Sequence, residues 1–587
     1  MRSRGLPTSE HHPDDARGWR GRVATQPAWL IALVISLVLL AGALCLTMPF
    51  SGDQAAFTVY GRELTRGAVL YRDVFDIKQP GIFWFYSVGG WLFGFTEVGI
   101  HLFELAYWAA FSLFAAVALR PYFATRWAAP LVPVFTVVVY YLYAGLLDLT
   151  QVESVVAFPL LLAWWFLDRA DARTRSDLRM YAAAGLSAAT VMLFKHVYVL
   201  VVLAFLTHVV IRARREGVDT RDLRRSIGAF FVALVVPILG VIAYFAAYGQ
   251  LGRLWWATFE LGPAAQVTTE RPLSYLTFGV RRFLIGYGPV VVLAVLGLAQ
   301  TFRKRDRPRL NLVSGMTLWC AVGGTAFILQ GWFEHKWVLF TVPLGILAVA
   351  GVESLVTQAR KIDVGPRSLA LGAAVILAIL GFLVGAPAAK VQTRLLLSVV
   401  IGCGAAAASA LITARRRLHR FGFHVLLASL GVSIGLLGIV PSEKIGQLAR
   451  HDFALTTEAR AGLRRTLSPF YEAADRDLVV IGADLPPGPL HVIGSSVLQL
   501  RADRPPADPF LALRPEFFDD EAWRELDAIL RSDPSRFIVV DWYLSGVIED
   551  RRPAIMELIR SRYEVAFVGA SGTWYERRGA PGSAQRG

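Results

Sequence analysis

The sequence predicts an α-helical polytopic membrane protein of about thirteen transmembrane helices, followed by a C-terminal extracytoplasmic α/β domain. Three observations predict it. Apolar runs of about 20 residues, the length that crosses the hydrocarbon core, recur from Ala28 to Val440. Short arginine-rich segments punctuate them. From Pro441 onward charges return, apolar runs shorten and prolines cluster at Pro486-Pro487 and Pro505-Pro506.

Composition agrees. Of 587 residues, 55% are hydrophobic and only 18% charged, and the mean hydropathy is +0.48. Soluble domains carry about a quarter charged residues. The net charge of +15 does not indicate nucleic acid, because the arginines sit in short segments between apolar runs, as the positive-inside rule demands. Cys45, Cys320 and Cys403 all lie inside apolar runs, so they offer neither a disulfide framework nor a thiolate metal site and read as small buried hydrophobes.

Taken in order, residues 1–27 form a basic cytoplasmic tail. The apolar run that follows is longer than a signal-peptide core of roughly 7–15 residues, and Leu44 directly before Cys45 argues against a lipoprotein cleavage site. It is an uncleaved first helix. The expected spans are 28–48, 98–119, 127–147, 153–167, 180–195, 197–211, 227–248, 283–302, 310–330, 337–357, 368–388, 395–413 and 421–440. The run 82–95 is too short to span comfortably and is expected in the outer interface, with Trp84, Phe85, Tyr86 and Trp91 suited to that depth. With it left out, all six basic loops, from Arg120–Arg126 to Arg415–Arg420, fall on the cytoplasmic side with the N-terminus. The pair 180–195 and 197–211 is short for two ordinary spans and reads as a broken or tilted hairpin with Lys195-His196 at its outer tip.

This topology makes 28–440 the membrane domain, 49–97 an outer loop with juxtamembrane helices, 441–578 an outer domain and 579–587 a disordered tail. In the outer domain, Asp477–Ile481, Arg536–Asp541, Tyr563–Val568 and Thr573–Glu576 read as strands. Thr456–Leu467, Asp519–Ser532 and Pro553–Arg562 read as amphipathic helices. Strands alternating with helices indicate an α/β domain.

The stretch Gly52–Gly81 is unusually charged for a connection between membrane helices. It carries Asp53, Asp76 and Lys78 with Tyr60 interleaved, and Pro80-Gly81 ends it. Asp53 stands where the first helix leaves the membrane, and an interfacial helix cap is its bland role. Asp148 and Glu153 bracket the second outer loop, and Lys195-His196 sits between two apolar runs, where ionisable groups are costly and point to function. Glu334-His335-Lys336 fills a very short outer loop between Trp332 and Trp337. Arg271, Arg281 and Arg282 mark the outer loop 249–282 and suit phosphate or a cationic rim on anionic lipid.

Gly52-Asp53-Gln54, the run Gly67–Gly81 and Leu193-Phe194-Lys195 resemble the GT-C glycosyltransferase superfamily. Closest are bacterial polyprenyl-phosphate-sugar transferases of the lipid A aminoarabinose transferase and protein O-mannosyltransferase groups. The chain departs from many members at Asp53-Gln54, where they have Asp-Glu, and at Gln79-Pro80-Gly81, where they have a double proline. The resemblance implies transfer of a sugar from a polyprenyl-phosphate donor to an envelope acceptor at the extracytoplasmic face of the inner membrane. A carboxylate must then take the acceptor's proton, and cations must stabilise the departing phosphate. The resemblance gives Asp53 the role of base. Lys78, Lys195, Arg271 and Lys336 fall to the phosphate, and Tyr60, Asp76, Asp148, Glu153, His196 and His335 to the cavity or acceptor. No metal-ligand spacing is visible; a divalent metal is compatible but not required, and no cofactor is implied.

Three other readings stand beside this one. A lipid-linked glycan ligase or polymerase would run a related reaction on another donor. A lipid or glycan transporter would show repeat symmetry and charges deep in its helices, whereas the ionisable residues here gather at one face. An envelope-assembly scaffold predicts that loss of Asp53 or Lys78 changes nothing. No G-x-S-x-G, Walker or dinucleotide motif supports hydrolase or nucleotide chemistry.

Overall fold

The computed structural model describes residues 27–171, 177–268, 273–304, 307–328, 330, 334–359, 439–482, 485–511, 515–532 and 535–579. The expected spans 368–388 and 395–413, nearly all of 421–440, the N-terminal tail to residue 26 and the C-terminal tail after Gly579 lie outside them.

Helices dominate. Among the described residues, Glu97–Ala118, Thr220–Ala247, Arg307–Ile328 and His335–Thr357 are each long and apolar enough to cross a membrane, as is Leu178–Arg215 when its two arms are counted as one stretch. The pair Leu273–Leu284 and Gly286–Phe302, bent by 74°, would make one more. Ala28–Ala43 is a shorter apolar helix. The segment expected as a span at 127–147 is interrupted: Ala128–Pro133 runs into a π turn at Val134–Val138 before Val139–Tyr143. Pro133, which has no N–H to give to the helical ladder, sits at that junction.

Leu178–Lys195 and Val199–Arg215 form the expected hairpin. Lys195 leaves the helical region at φ −162°, ψ 101°. Both far ends return to the same place: the Asp171 N–H donates to Asp177 at 3.0 Å, and Arg212 pairs with Asp168 at 2.5 Å. Lys195 reaches Glu153 at the opposite end of the Ala157–Arg169 helix. The basic side carries a second buried pair, Arg309 with Glu353 at 2.7 Å, and Glu353 also accepts the Thr125 hydroxyl at 2.6 Å.

Two short helices build the other side. Ser51 sits extended at the N-cap of Gly52–Thr65, and Gln54 accepts the Ser51 N–H at 2.6 Å, the return arm of a capping box. The cap is therefore Ser51, and Asp53 is left in the first turn. Pro80 opens the Pro80–Phe93 helix at a position that needs no N–H. This is the run expected at 82–95, and its 14 residues are too few to cross. The two helices meet at Gly61, where a Cβ would lie 2.9 Å from the Ser87 nitrogen. Gly81 allows the second helix to rest on the hairpin, since a Cβ there would meet the Leu193 carbonyl oxygen at 2.6 Å.

The C-terminal domain holds a four-stranded mixed sheet of β1 (His491–Ile493), β2 (Phe537–Val540), β3 (Tyr563–Val568) and β4 (Thr573–Arg577), ordered β1-β2-β4-β3. β1 and β2 are parallel and the other pairs antiparallel. Three expected strands and the helices Thr457–Leu467, Asp520–Ser532 and Pro553–Arg562 are present. Asp477–Ile481 is not a strand. It ends the helix Pro469–Ile481, whose buried Tyr471, Ala474, Asp477 and Ile481 follow helical spacing. A short apolar stretch such as Leu478–Ile481 carries no period of its own, and β1 went unread for the same reason.

Candidate active site

A cavity of about 1340 Å³ opens where the helix ends around Lys195 meet the C-terminal domain. Asp53, Asp76, Lys78, Glu153, Lys195, His196, His335 and Lys336 line one side of it, so most of the residues singled out along the sequence converge.

The centre of that side is Lys78. Its ammonium lies 3.5 Å from an Asp53 oxygen and 3.6 Å from an Asp76 oxygen, 4.9 Å over the Phe57 ring. Asp53 comes from the capped start of one helix, and Asp76 and Lys78 from the loop before the next. The loop is held locally: the Tyr71 hydroxyl donates to the Lys78 carbonyl at 2.8 Å, and Asp76 accepts the Lys78 N–H at 3.2 Å. Tyr71 itself adopts φ 67°, the left-handed region. Burial works against the Lys78 charge, but Asp53 and then Asp76 outweigh it and hold its pKa above the usual lysine range. Burial raises the Asp76 carboxyl above the usual range against the pull of Lys78. The Asp53 carboxyl is 43% exposed and that of Asp76 only 2%, so Asp53 is the acid that a substrate can reach.

Glu153 and Lys195 pair at 2.6 Å inside the cavity wall, and Lys195 lies 5.4 Å over the Tyr198 ring. The ammonium expected on phosphate is thus already partnered. The His196 Nδ1 is buried without a hydrogen-bond partner.

Two expected site residues do other work. Tyr60 is fully buried and donates its hydroxyl to the carbonyls of Phe75 and Pro509 at 3.0 and 2.8 Å, fastening the loop to the C-terminal domain. Asp148 does not line the cavity. It accepts from Arg282 at 2.6 Å and from the Gly145 N–H at 2.8 Å, and so closes the loop 144–151. Arg282 lines the cavity with that partner, whereas Arg271 lies outside the described residues.

Some positions at and around the cavity escaped the sequence reading. Glu104, buried in Glu97–Ala118, accepts from the Tyr140 hydroxyl at 2.7 Å and the Thr150 N–H at 2.8 Å, which holds the loop beside Asp53. An acid inside an apolar run was the available signal. Asp541, Tyr543 and Phe470 of the C-terminal domain line the opposite wall. Among the described residues, no three His, Cys, Asp or Glu side chains gather as metal ligands would.

A family model for dolichyl-phosphate-mannose-protein mannosyltransferase matches residues 78–241. Solved structures share the fold over almost the whole chain. ArnT from Cupriavidus metallidurans in the apo state is 16% identical, with 95% of this chain and 98% of that chain covered and a TM-score of 0.52. The same protein bound to undecaprenyl phosphate is 16% identical, with 93% and 98% covered and a TM-score of 0.50. No curated protein matches by sequence. Of the stretches that carry the resemblance, the family model takes in Lys78–Gly81 and Leu193-Phe194-Lys195, and the solved structures share the fold.

Proposed function

We propose that this protein is a membrane glycosyltransferase that moves a sugar from a polyprenyl-phosphate donor to an envelope acceptor at the extracytoplasmic face. One observation carries the reading: the Lys78 ammonium set between Asp53 and Asp76 on the wall of a large cavity. The family model beginning at Lys78 and the fold of a protein solved with undecaprenyl phosphate support the donor class. The chain then crosses the inner membrane thirteen times with residues 1–27 cytoplasmic and 441–578 outside.

In the reaction, the acceptor's hydroxyl or amine attacks the anomeric carbon while its proton passes to an Asp53 oxygen. The bond from that carbon to the phosphate oxygen breaks, and its electron pair stays on the lipid phosphate. Lys78, with Lys336 on the same wall, stabilises that charge. Lys195 remains tied to Glu153 and contributes the remainder of its field. Asp76 orients Lys78 through its ion pair and its hold on the loop backbone.

The test is Asp53→Asn in the purified protein, reading transferred sugar by mass spectrometry and undecaprenyl phosphate binding by thermal shift. A general base contributes roughly 10²–10⁴-fold, so turnover falls by that order while lipid-phosphate binding persists. Wild-type turnover in Asp53→Asn defeats the assignment.

A further inference from the structure

The two walls of the cavity differ in chemistry. All the described lining cations, among them Lys78, Lys195, Arg282 and Lys336, belong to the membrane-domain wall. The described residues of the C-terminal-domain wall bring only two ionisable side chains that are charged at neutral pH, Asp508 and Asp541, together with aromatic rings.

Asp508 is committed within the domain: it accepts the Phe510 N–H at 2.7 Å and lies 3.0 Å from the His491 Nε2. Asp541 is placed differently. It stands at the carboxyl end of β2, beside the carboxyl end of parallel β1, the edge where α/β sheets receive ligands. Its N–H donates to Ile493 at 2.9 Å, and one carboxyl oxygen caps the helix Trp542–Arg551 through the Tyr543 N–H at 2.9 Å. Gly494 makes room for it, since a Cβ there would meet the Asp541 Cβ at 2.6 Å. Tyr543 and Phe470 line the same cavity and are 61% and 53% exposed. The wall also starts against the proposed base: the Ser496 hydroxyl donates to the carbonyl of Gly52 at 2.6 Å, one residue before Asp53.

We propose that this wall is the acceptor subsite and that it takes a non-anionic saccharide, neutral or amine-bearing, held by Asp541 and stacked on Tyr543 and Phe470. A fixed carboxylate accepts strong hydrogen bonds from sugar hydroxyls or an ammonium and repels phosphate. Aromatic faces bury the apolar face of a pyranose at little entropic cost. The proposal rests on the glycosyltransferase reading for the word acceptor, and it divides the cavity into a donor half, where the cations stand among Asp53, Asp76 and Glu153, and an acceptor half that carries carboxylates and aromatic rings without a described lysine or arginine.

The full-length protein in nanodiscs, saturated with undecaprenyl phosphate to occupy the cationic wall, is titrated with tri-N-acetylglucosamine and with the same trisaccharide carrying a 6-phosphate. Saturation-transfer NMR reads the binding. The neutral trisaccharide is expected to bind at least tenfold more tightly than its phosphate. Asp541→Asn, which keeps the helix cap, and Tyr543→Ala each weaken it tenfold or more with undecaprenyl phosphate affinity unchanged. Equal or tighter binding of the phosphorylated form, wild-type affinity in both variants, or no binding of either saccharide overturns the proposal. If undecaprenyl phosphate itself fails to bind the wild type, the donor reading fails, and the saccharide titrations without it still decide this subsite.

Discussion

At the scale of single residues, the site turns on one ammonium shared by two acids of unlike exposure. Asp76 is buried and its carboxyl titrates above the usual range, whereas Lys78 is held above its own range and stays charged throughout. The sign follows directly. As pH falls through the raised Asp76 pKa, that carboxyl takes a proton and stops competing with a donor phosphate for Lys78. Above that pKa, Asp76→Asn should therefore bind undecaprenyl phosphate more tightly than wild type by roughly fivefold, on the order of 1 kcal/mol. Below it, the two proteins should bind alike. Comparing the variant with wild type at each pH cancels the titration of the phosphate itself. Titrations from the ordinary carboxylate range up to neutral pH measure the ratio, and a ratio that does not change with pH would show that Asp76 does not titrate beside Lys78.

Elements explain why the sequence revealed some of this and not the rest. The hairpin tip at Lys195 was legible because an ionisable pair between two apolar runs has few places to go. The helix at 80–93 was legible from its length and from Pro80-Gly81. Asp53 and Lys78 were legible as a charged motif, although only folding brings them to 3.5 Å. Asp148 was misjudged because its partner Arg282 lies 134 positions away, and no local pattern records such a pairing. Tyr60 failed for the same reason, its partner being Pro509 in another domain. Asp541 reads locally as a helix cap, and nothing in its neighbours says that the sheet edge faces the membrane wall. The hairpin also yields a prediction. Glu153 is 2% exposed and pairs with Lys195 at 2.6 Å. Glu153→Leu leaves that ammonium without its carboxylate and should cost up to about 3 kcal/mol, seen as a lower Tm. Adding Lys195→Met should recover most of the stability but not the transfer activity. A double variant that melts as low as the single one would show that the pair's charge is not what the tip depends on.

For the whole molecule, the cavity exists only while the C-terminal domain stays docked, because that domain supplies one wall. Docking combines apolar packing, with the Phe75 ring against Phe510 at 5.5 Å, and distributed polar contacts. The Tyr471 hydroxyl donates to Glu97 at 2.8 Å, and Arg464 pairs with the same carboxylate at 2.8 Å. Arg62 pairs with Asp503 at 2.5 Å, and the Trp256 indole donates to Asp519 at 2.8 Å. Glu97 is the best point to cut, since one carboxylate serves two partners from the domain and lies away from the cavity lining. Glu97→Ala leaves the Arg464 guanidinium and the Tyr471 hydroxyl without their acceptor, a loss of about 2 kcal/mol or more for a charge-assisted, largely buried contact. Amide exchange across Thr457–Leu467 and Pro469–Ile481 should then accelerate by tenfold or more, while exchange in Leu178–Lys195 stays as it was. Turnover should fall through a raised KM for the acceptor, with undecaprenyl phosphate affinity kept, because the cationic wall belongs to the membrane domain alone. Arg464→Ala combined with Glu97→Ala should cost less than the two changes summed, as contacts on one carboxylate are not independent. Unaltered exchange in both helices, or a loss confined to lipid-phosphate binding, would mean that the domain is held elsewhere and that its wall does not depend on Glu97.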